Sequence, residues 1–248
     1  MKFSLSKEIF EISPDAKVGV LVLRNIDNTR DPDGSYQNLW NTIEATALEL
    51  LDTPLEELPA VSIWQNAFQK AKINPRDYDA SHIALLRRVK NRIEIPNINP
   101  LVNILNTVSI SRKVPLGGHD LDKIDGDITV GPNTNKLDFT GKEKSVESKE
   151  IVYVDKKNVL TRKWVWREGE KTMATAKTTN VFIPIDSFGH ISEKELTKIA
   201  KEITALAKIF VKSTDLEATF SIVDAKHTEV ELDDLPKLNT VKTPSIKT

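Results

Sequence analysis

The sequence predicts an α+β protein in which mixed or antiparallel sheets pack with several helices. Three observations predict this class. Residues 17–23 form an apolar run rich in β-branched side chains. Four segments between residues 35 and 111 carry apolar side chains at helical spacing, and short strand-like segments separated by turn residues follow from residue 128.

The length and this pattern together predict one domain. We expect it to span residues 1–225, with a helix-rich half at 1–112 and a sheet-rich half at 113–225. Residues 226–248 are polar and are expected to form a C-terminal tail. No internal repeat is visible.

The first half begins with a strand and continues with helices. The apolar run at 17–23 predicts a buried strand, and residues 25–28 and 31–34 predict the turn after it. The helical spacing predicts helices at residues 35–51, 61–71, 81–90 and 99–111.

The last of these helices has two contrasting faces. Asn99 and Pro100 are suited to the N-cap and the first helical position. Leu101, Ile104, Leu105 and Val108 share one face, whereas Asn99, Asn103 and Asn106 share the other. Asparagine is a poor helix former, so repeated asparagine favours a site, with a solvated face as the alternative. Asn103 and Asn106 are therefore candidate substrate-binding residues.

The second half is predicted to be mostly sheet. Strands are expected at residues 128–130, 137–139, 151–154, 160–166, 179–185 and 214–224. Between the last two, Ser192 and Glu195 form a capping box, and apolar residues at helical spacing follow as far as Phe210.

The bulk composition excludes several classes of protein. No apolar run approaches the roughly 20 residues that span a bilayer, and the N-terminus lacks the apolar stretch of an export signal. Without cysteine there is no disulfide, thiolate zinc site or cysteine nucleophile, which suits the cytoplasm. The net charge of −1 gives no long-range attraction for a polyanion, so any contact with nucleic acid must be local.

One stretch offers such a local contact. Between residues 156 and 177, seven lysine and arginine residues are interleaved with Trp164 and Trp166, a pattern that could pair phosphates and stack bases. The alternative is a solvated strand face with two core indoles.

Motifs for metal and cofactor chemistry are missing. Asp120, Asp122, Asp125 and Asp127 surround Gly126, but the glycine falls one position late for a calcium loop and the terminal glutamate is missing. The four histidines have no zinc-ligand spacing, and no phosphate-binding glycine loop or serine-hydrolase motif occurs. We therefore expect no metal and no cofactor.

Residues 99–108 (NPLVNILNTV) and 114–124 (VPLGGHDLDKI) carry the most specific pattern in the chain. They resemble the editing domain of the bacterial phenylalanyl-tRNA synthetase β subunit, formed by its third and fourth B modules, in which V-D-I-T-N-Y-V precedes Q-P-M-H-A-F-D-L-D-K-L. Gly169-Glu170 resembles a Gly-Gly-Glu of that family, and residues 178–182 (TTNVF) resemble T-T-D-I-F. The resemblance covers roughly residues 80–190 and implies a free-standing domain of this type, because the length leaves no room for the rest of the synthetase.

By position, the resemblance assigns pocket roles to Asn106, Pro115 and Glu170, the last matching the glutamate that recognises the misactivated side chain. Two departures occur. The family histidine falls on Gly117, while this chain places His119 where the family has phenylalanine, and Leu105 replaces the family threonine. The pocket is therefore reshaped, and tyrosine, which the synthetase domain rejects, is not assumed as the substrate.

The implied activity is hydrolysis of mischarged aminoacyl-tRNA at its acceptor end. The backbone N–H groups of Gly117 and Gly118 could stabilise an oxyanion, and His119 could orient water or serve structurally. Arg87 and Arg88 could pair acceptor-end phosphates or be ordinary surface cations. A non-catalytic RNA-binding or regulatory module with this fold is the alternative, and a small-metabolite binder is a third. The oligomeric state stays open between a monomer and a weak dimer.

Overall fold

The structure is a computed structural model that describes residues 1–29, 35–50, 52–141, 145–211 and 215–238, with only the backbone of residues 35–38. The helices in this described part are α1 (Lys7–Ile12), α2 (Ser35–Glu49), α3 (Pro59–Lys70), α4 (Ser81–Lys90), α5 (Pro100–Arg112) and α6 (Glu193–Phe210). The strands are β1 (Lys2–Leu5), β2 (Lys17–Arg24), β3 (His119–Asp120), β4 (Ile128–Pro132), β5 (Asp138–Phe139), β6 (Ile151–Val154), β7 (Asn158–Arg162), β8 (Arg167–Glu168), β9 (Val181–Ser187), β10 (Glu217–Val223) and β11 (Glu229–Glu231). The predicted α+β class is confirmed.

The strands form two sheets. The larger sheet has the order β11-β1-β4-β6-β7-β5, and β8 also pairs with β7. It is mixed, since β1 runs parallel to β4 and β5 parallel to β7, while its other pairs are antiparallel. The smaller sheet, β10-β2-β9-β3, is antiparallel throughout.

Strand β2 separates two hydrophobic cores. Successive side chains of a strand point to opposite faces of the sheet. Val20 and Val22 accordingly face the core that contains Trp64 and Trp164, while Leu21 and Leu23 face the core under α5 and α6. The uninterrupted apolar run is explained by burial on both faces.

The predicted helices and their caps are confirmed. Helices α2 to α6 lie where the apolar spacing predicts them. The Asn99 side chain accepts a hydrogen bond from the N–H of Val102, and Ser192 accepts one from the N–H of Glu195. Both caps supply an acceptor to the unpaired donors of a first helical turn.

One strand prediction is wrong. The segment at 160–166 is not a single strand, because β7 ends at Arg162 and the chain turns before β8 begins at Arg167. Lys163 and Trp164 both adopt left-handed backbone angles, with φ of 44° and 64°. Neither residue type favours this region, so the residues alone give no indication of a turn.

The two ends of the chain contain strands that the pattern does not predict. Strand β1 pairs with β11, so residues 229–231 of the expected tail belong to the larger sheet. Leu235 is buried, and the N–H of Phe220 donates to the carbonyl of Pro236. The turn expected at 31–34 and the tail beyond residue 238 lie outside the described residues.

The turn after β7 is held by a buried carboxylate. Glu150 accepts hydrogen bonds from Nε and Nη2 of Arg162, at 3.1 and 2.8 Å, and from the backbone N–H of Lys163 at 2.9 Å. The Lys163 ammonium lies 3.4 Å from the same carboxylate and 2.9 Å from Glu147. All of these contacts fix the backbone that leads into β8.

We expect Glu150→Ala to lower the free energy of unfolding by roughly 3 kcal/mol, because it removes a buried carboxylate from two buried cations. Urea denaturation measures the loss. Glu147→Ala is the matched control, since Glu147 pairs with the same Lys163 but its side chain is 72% exposed. This control is expected to cost less than about 1 kcal/mol, and equal losses in the two variants would contradict the account.

Candidate functional site

A cavity of about 310 Å³ lies where α5, the bend at residues 115–118, the β7–β8 hairpin and β9 meet. Its volume falls at the lower end of the roughly 300–1,000 Å³ typical of small-ligand sites. Its polar lining includes Asn106, His119, Glu168 and Asp186. The cavity therefore collects titratable and amide groups from four separate parts of the chain.

The orientation of α5 decides which of its asparagines reaches the cavity. Asn28 accepts from the N–H of Leu101 and donates to the Asn99 side chain and the carbonyl of Thr175, so the start of the helix is fixed. Asn103 is buried and bonded to the segment at 97–98, with its amide accepting from Ile98 and donating to Asn97. Asn106 lines the cavity, and no hydrogen bond of its side chain occurs within the described residues.

The double-glycine bend lies against an acidic side chain. The N–H of Gly118 donates to Oε1 of Glu168 at 2.8 Å. A β-carbon at position 117 would overlap the same carboxylate, and one at position 118 would meet Leu105 at 2.9 Å. Both positions are therefore glycine because neighbouring side chains approach the main chain closely.

Glu168 is the carboxyl group of the β7–β8 hairpin that lines the cavity. About a quarter of its side chain is exposed, and Oε1 lies 4.0 Å from Nε2 of His119. Burial raises the pKa of Glu168 to about 7, against the opposing effect of the Gly118 N–H. The protonation state of Glu168 therefore changes near neutral pH.

His119 is sealed beneath the cavity. Its side chain is 1% exposed, Nδ1 lies 3.0 Å from the hydroxyl of Thr172, and Nε2 lies 3.0 Å from that of Thr161. Burial lowers the pKa of His119 to about 4, so the imidazole is neutral at pH 7. A neutral imidazole with both ring nitrogens hydrogen-bonded is suited to positioning its neighbours.

Asp186 is a second carboxyl group on the cavity lining and is only 3% exposed. It accepts hydrogen bonds from the hydroxyl of Tyr153 at 2.6 Å and from the indole N–H of Trp164 at 3.3 Å. Burial raises the pKa of Asp186 to about 7. No sequence motif singles out Asp186, although an acidic residue inside the apolar run of β9 is an indication of a special role.

Other candidate residues lie away from the cavity. Glu170 is exposed, and its N–H donates to the carbonyl of Thr140 at 2.7 Å. The carboxylate that reaches the cavity is that of Glu168, two residues earlier, and the sequence does not distinguish the two because they flank Gly169 symmetrically. Arg87 binds Asp79 through two hydrogen bonds, and Arg88 donates to the carbonyl of Glu94. Pro115, Gly117 and Gly118 do line the cavity.

The basic stretch from 156 to 177 is only partly available at the surface. Arg162, Lys163 and Trp164 are buried. Trp166 is half-buried at the cavity, and the guanidinium carbon of Arg167 lies 4.4 Å from the centre of its ring. Lys156, Lys157, Arg167 and Lys177 are exposed, and of these four Arg167 is the one that lines the cavity, beside Trp166. In the described residues no group of three or more acidic or histidine side chains is placed to hold a metal ion.

Comparison with known proteins gives the family. The family model described as the B3/4 domain matches residues 63–226, which include every residue that lines the cavity. The chain belongs to the B3/4 domain family. No curated protein sequence matches this B3/4 domain.

A solved structure with a similar fold is an N-terminal fragment of the phenylalanyl-tRNA synthetase β-subunit from Pyrococcus horikoshii. The TM-score is 0.45 at 13% sequence identity, and the match covers 94% of this chain and 55% of the fragment. The chain thus spans about half the length of that fragment. None of the helices described for this B3/4 domain has the length and apolar content needed to cross a membrane.

Gly117→Ala in this B3/4 domain is expected to displace the Glu168 carboxyl group and return its pKa from about 7 toward the ordinary value near 4.3. Carboxyl titration followed by carbon NMR measures the shift. Gly189→Ala is the control, because the added β-carbon meets the Asp15 carboxylate at 2.5 Å at the surface instead. An unchanged Glu168 titration in Gly117→Ala would contradict the predicted overlap.

Asp186→Asn tests the buried carboxyl group through stability. The folded-state pKa of Asp186 is raised to about 7, so its contribution to stability is present below about pH 4 and is lost as the pH rises through 7. The free energy of unfolding of Asp186→Asn, taken relative to that of the wild type, should therefore be about 2 kcal/mol higher at pH 8 than at pH 5. Urea denaturation at both pH values measures it. Asp138→Asn, at an exposed aspartate, is the control, and the same gain there would refute the assignment.

Proposed function

We propose that this B3/4 domain is a hydrolase that removes a wrong amino acid from tRNA by deacylating the mischarged aminoacyl ester. The observation that carries the proposal is the shared cavity of Asn106, the Gly117–Gly118 bend and Glu168. These are the three kinds of group that the resemblance to the synthetase editing domain leads one to expect together. Membership of the B3/4 family supports the same assignment.

Ester hydrolysis requires an activated water and stabilisation of the developing oxyanion. Glu168 is suited to accept the proton of the water, because its pKa of about 7 lets it exchange a proton near neutral pH. The N–H of Gly118 is engaged by Glu168 and so holds the base in place. In this proposal the Asn106 amide, with no hydrogen bond within the described residues, donates to the oxyanion.

His119 has a positioning role in the proposed mechanism. Both ring nitrogens are occupied by threonine hydroxyls, and its pKa of about 4 keeps it neutral. Its Nε2 lies 4.0 Å from Oε1 of Glu168, so the ring packs beside the proposed base and does not protonate the leaving oxygen. The proton that Glu168 takes from water is the one available to the departing ribose oxygen.

The acceptor end of the tRNA is proposed to approach over Trp166 and Arg167. An indole can stack the terminal base, and a guanidinium can pair a phosphate. Both residues lie at the cavity, and Arg167 is exposed. Arg87 holds Asp79 in a two-point contact and lies away from the cavity.

We expect the purified protein to release the amino acid from at least one member of a panel of mischarged tRNAs, with kcat/KM rising through pH 7 as Glu168 ionises. Glu168→Gln should lower kcat/KM on the order of 100-fold or more and remove the midpoint near pH 7. The measurement is loss of labelled ester from 5.5 to 8.5 in pH.

Glu170→Gln is the matched control for this experiment, because it removes an exposed glutamate two residues away. It should leave kcat/KM within about twofold. A full rate in Glu168→Gln would exclude Glu168 as the base, and a midpoint that survives in that variant would assign the titration to another group. If every ester in the panel stays intact while acceptor-stem RNA still binds, the non-catalytic RNA-binding alternative replaces the enzyme.

A further inference from the structure

Two carboxyl groups face the cavity, and neither forms an ion pair with a lysine or arginine among the described residues. Asp186 receives hydrogen bonds from Tyr153 and Trp164, both neutral donors, and within the described residues no lysine or arginine forms an ion pair with it. Glu168 receives the backbone N–H of Gly118, and the histidine beside it is neutral. A buried carboxylate without a counter-ion is costly, so a neutral acceptor would serve Tyr153 and Trp164 at lower cost if the role were structural alone.

The cavity is suited to supply that counter-ion from a ligand. Each oxygen of Asp186 accepts one hydrogen bond and retains capacity for another. The indoles of Trp164 and Trp166 line the same cavity, and the face of an indole attracts a cation. A carboxylate among aromatic side chains is a suitable environment for an alkylammonium group.

The depth of Asp186 indicates which part of an aminoacyl ester would reach it. Its side chain is 3% exposed, whereas about a quarter of Glu168 is exposed. The ester is attached to a tRNA far larger than the cavity, so the ester and the neighbouring α-amino group must stay on the accessible side, by Glu168. Only the far end of the amino-acid side chain can extend to Asp186.

We infer that the cavity selects an acyl group with a basic side chain, whose terminal ammonium group binds Asp186. This inference rests on the proposed function and specifies its substrate class. Glu168 remains beside the ester, and Asp186 is the residue that determines specificity. An apolar side chain would leave the buried carboxylate unpaired and would be rejected for that reason.

Binding of amino-acid amides to the full-length protein tests the inference without any hydrolysis. The probes are lysinamide and ornithinamide against norleucinamide, which has the size of ornithinamide but ends in a methyl group, and tyrosinamide, which ends in a phenol. All four carry the α-ammonium group, so differences in their affinity are caused by the side chain. We expect the two cationic amides to bind at least about 10-fold more tightly than norleucinamide and tyrosinamide, the difference typical of a hydrogen bond to a charged group.

Two variants test whether Asp186 causes the preference for cationic amides. Asp186→Asn should abolish the discrimination between ornithinamide and norleucinamide, and Asp138→Asn, at an exposed aspartate, should retain it. Equal binding of ornithinamide and norleucinamide to wild type, or tightest binding of tyrosinamide, would overturn the inference. Discrimination that survives in a folded Asp186→Asn would do the same. If that variant does not fold by circular dichroism, the wild-type comparison of the four amides decides alone.

Deacylation of lysyl-, ornithyl- and tyrosyl-tRNA separates this inference from the proposed function. Discrimination among the amides with no hydrolysis of any ester supports the cation site and refutes the deacylase. Hydrolysis of tyrosyl-tRNA without any preference for cationic amides supports the deacylase and refutes the cation site. Faster hydrolysis of the two basic esters, lost in Asp186→Asn, supports both.

Discussion

The cavity depends on the buried ion pairs of Glu150 with Arg162 and Lys163. These contacts hold two residues of the 163–166 turn in left-handed backbone angles, which cost free energy that a free chain would avoid. The turn directs Trp164 into the core and starts β8 at Arg167, so that Glu168 meets the N–H of Gly118. Without that reversal, the segment would continue as the single strand that its residues suggest, and no carboxyl group of this hairpin would lie beside the double-glycine bend.

Much of the secondary structure follows from local patterns. The caps at Asn99 and Ser192, the apolar spacing of α3 to α6 and the doubly buried strand β2 are all visible in the residues, because each depends on near neighbours or on a repeating face. The pairing of β1 with β11 joins residues more than 220 positions apart, and the 163–166 turn depends on Glu150. Interactions between residues so far apart in the sequence produce no periodic pattern within a short stretch of the chain.

The candidate site was predictable in outline and not in detail. The asparagine face of α5 and the bend at 115–118 were identified, yet two asparagines that share that face have different roles: Asn103 binds the preceding loop and Asn106 lines the cavity. Glu168 and Glu170 flank one glycine, and the path of the hairpin determines that Glu168 is the one that reaches the cavity. Asp186 could have been identified from the sequence, because a single acidic residue in an otherwise apolar strand indicates a special role.

Gly117 also has a consequence for how such cavities diversify. The space beside it is filled by the carboxyl group of Glu168, which reaches in from a strand some fifty positions later. A β-carbon at position 117 and the Glu168 carboxyl group therefore cannot occupy that volume together. Any larger residue at position 117 requires a change at position 168, so two positions some fifty residues apart in the chain can vary only as a pair.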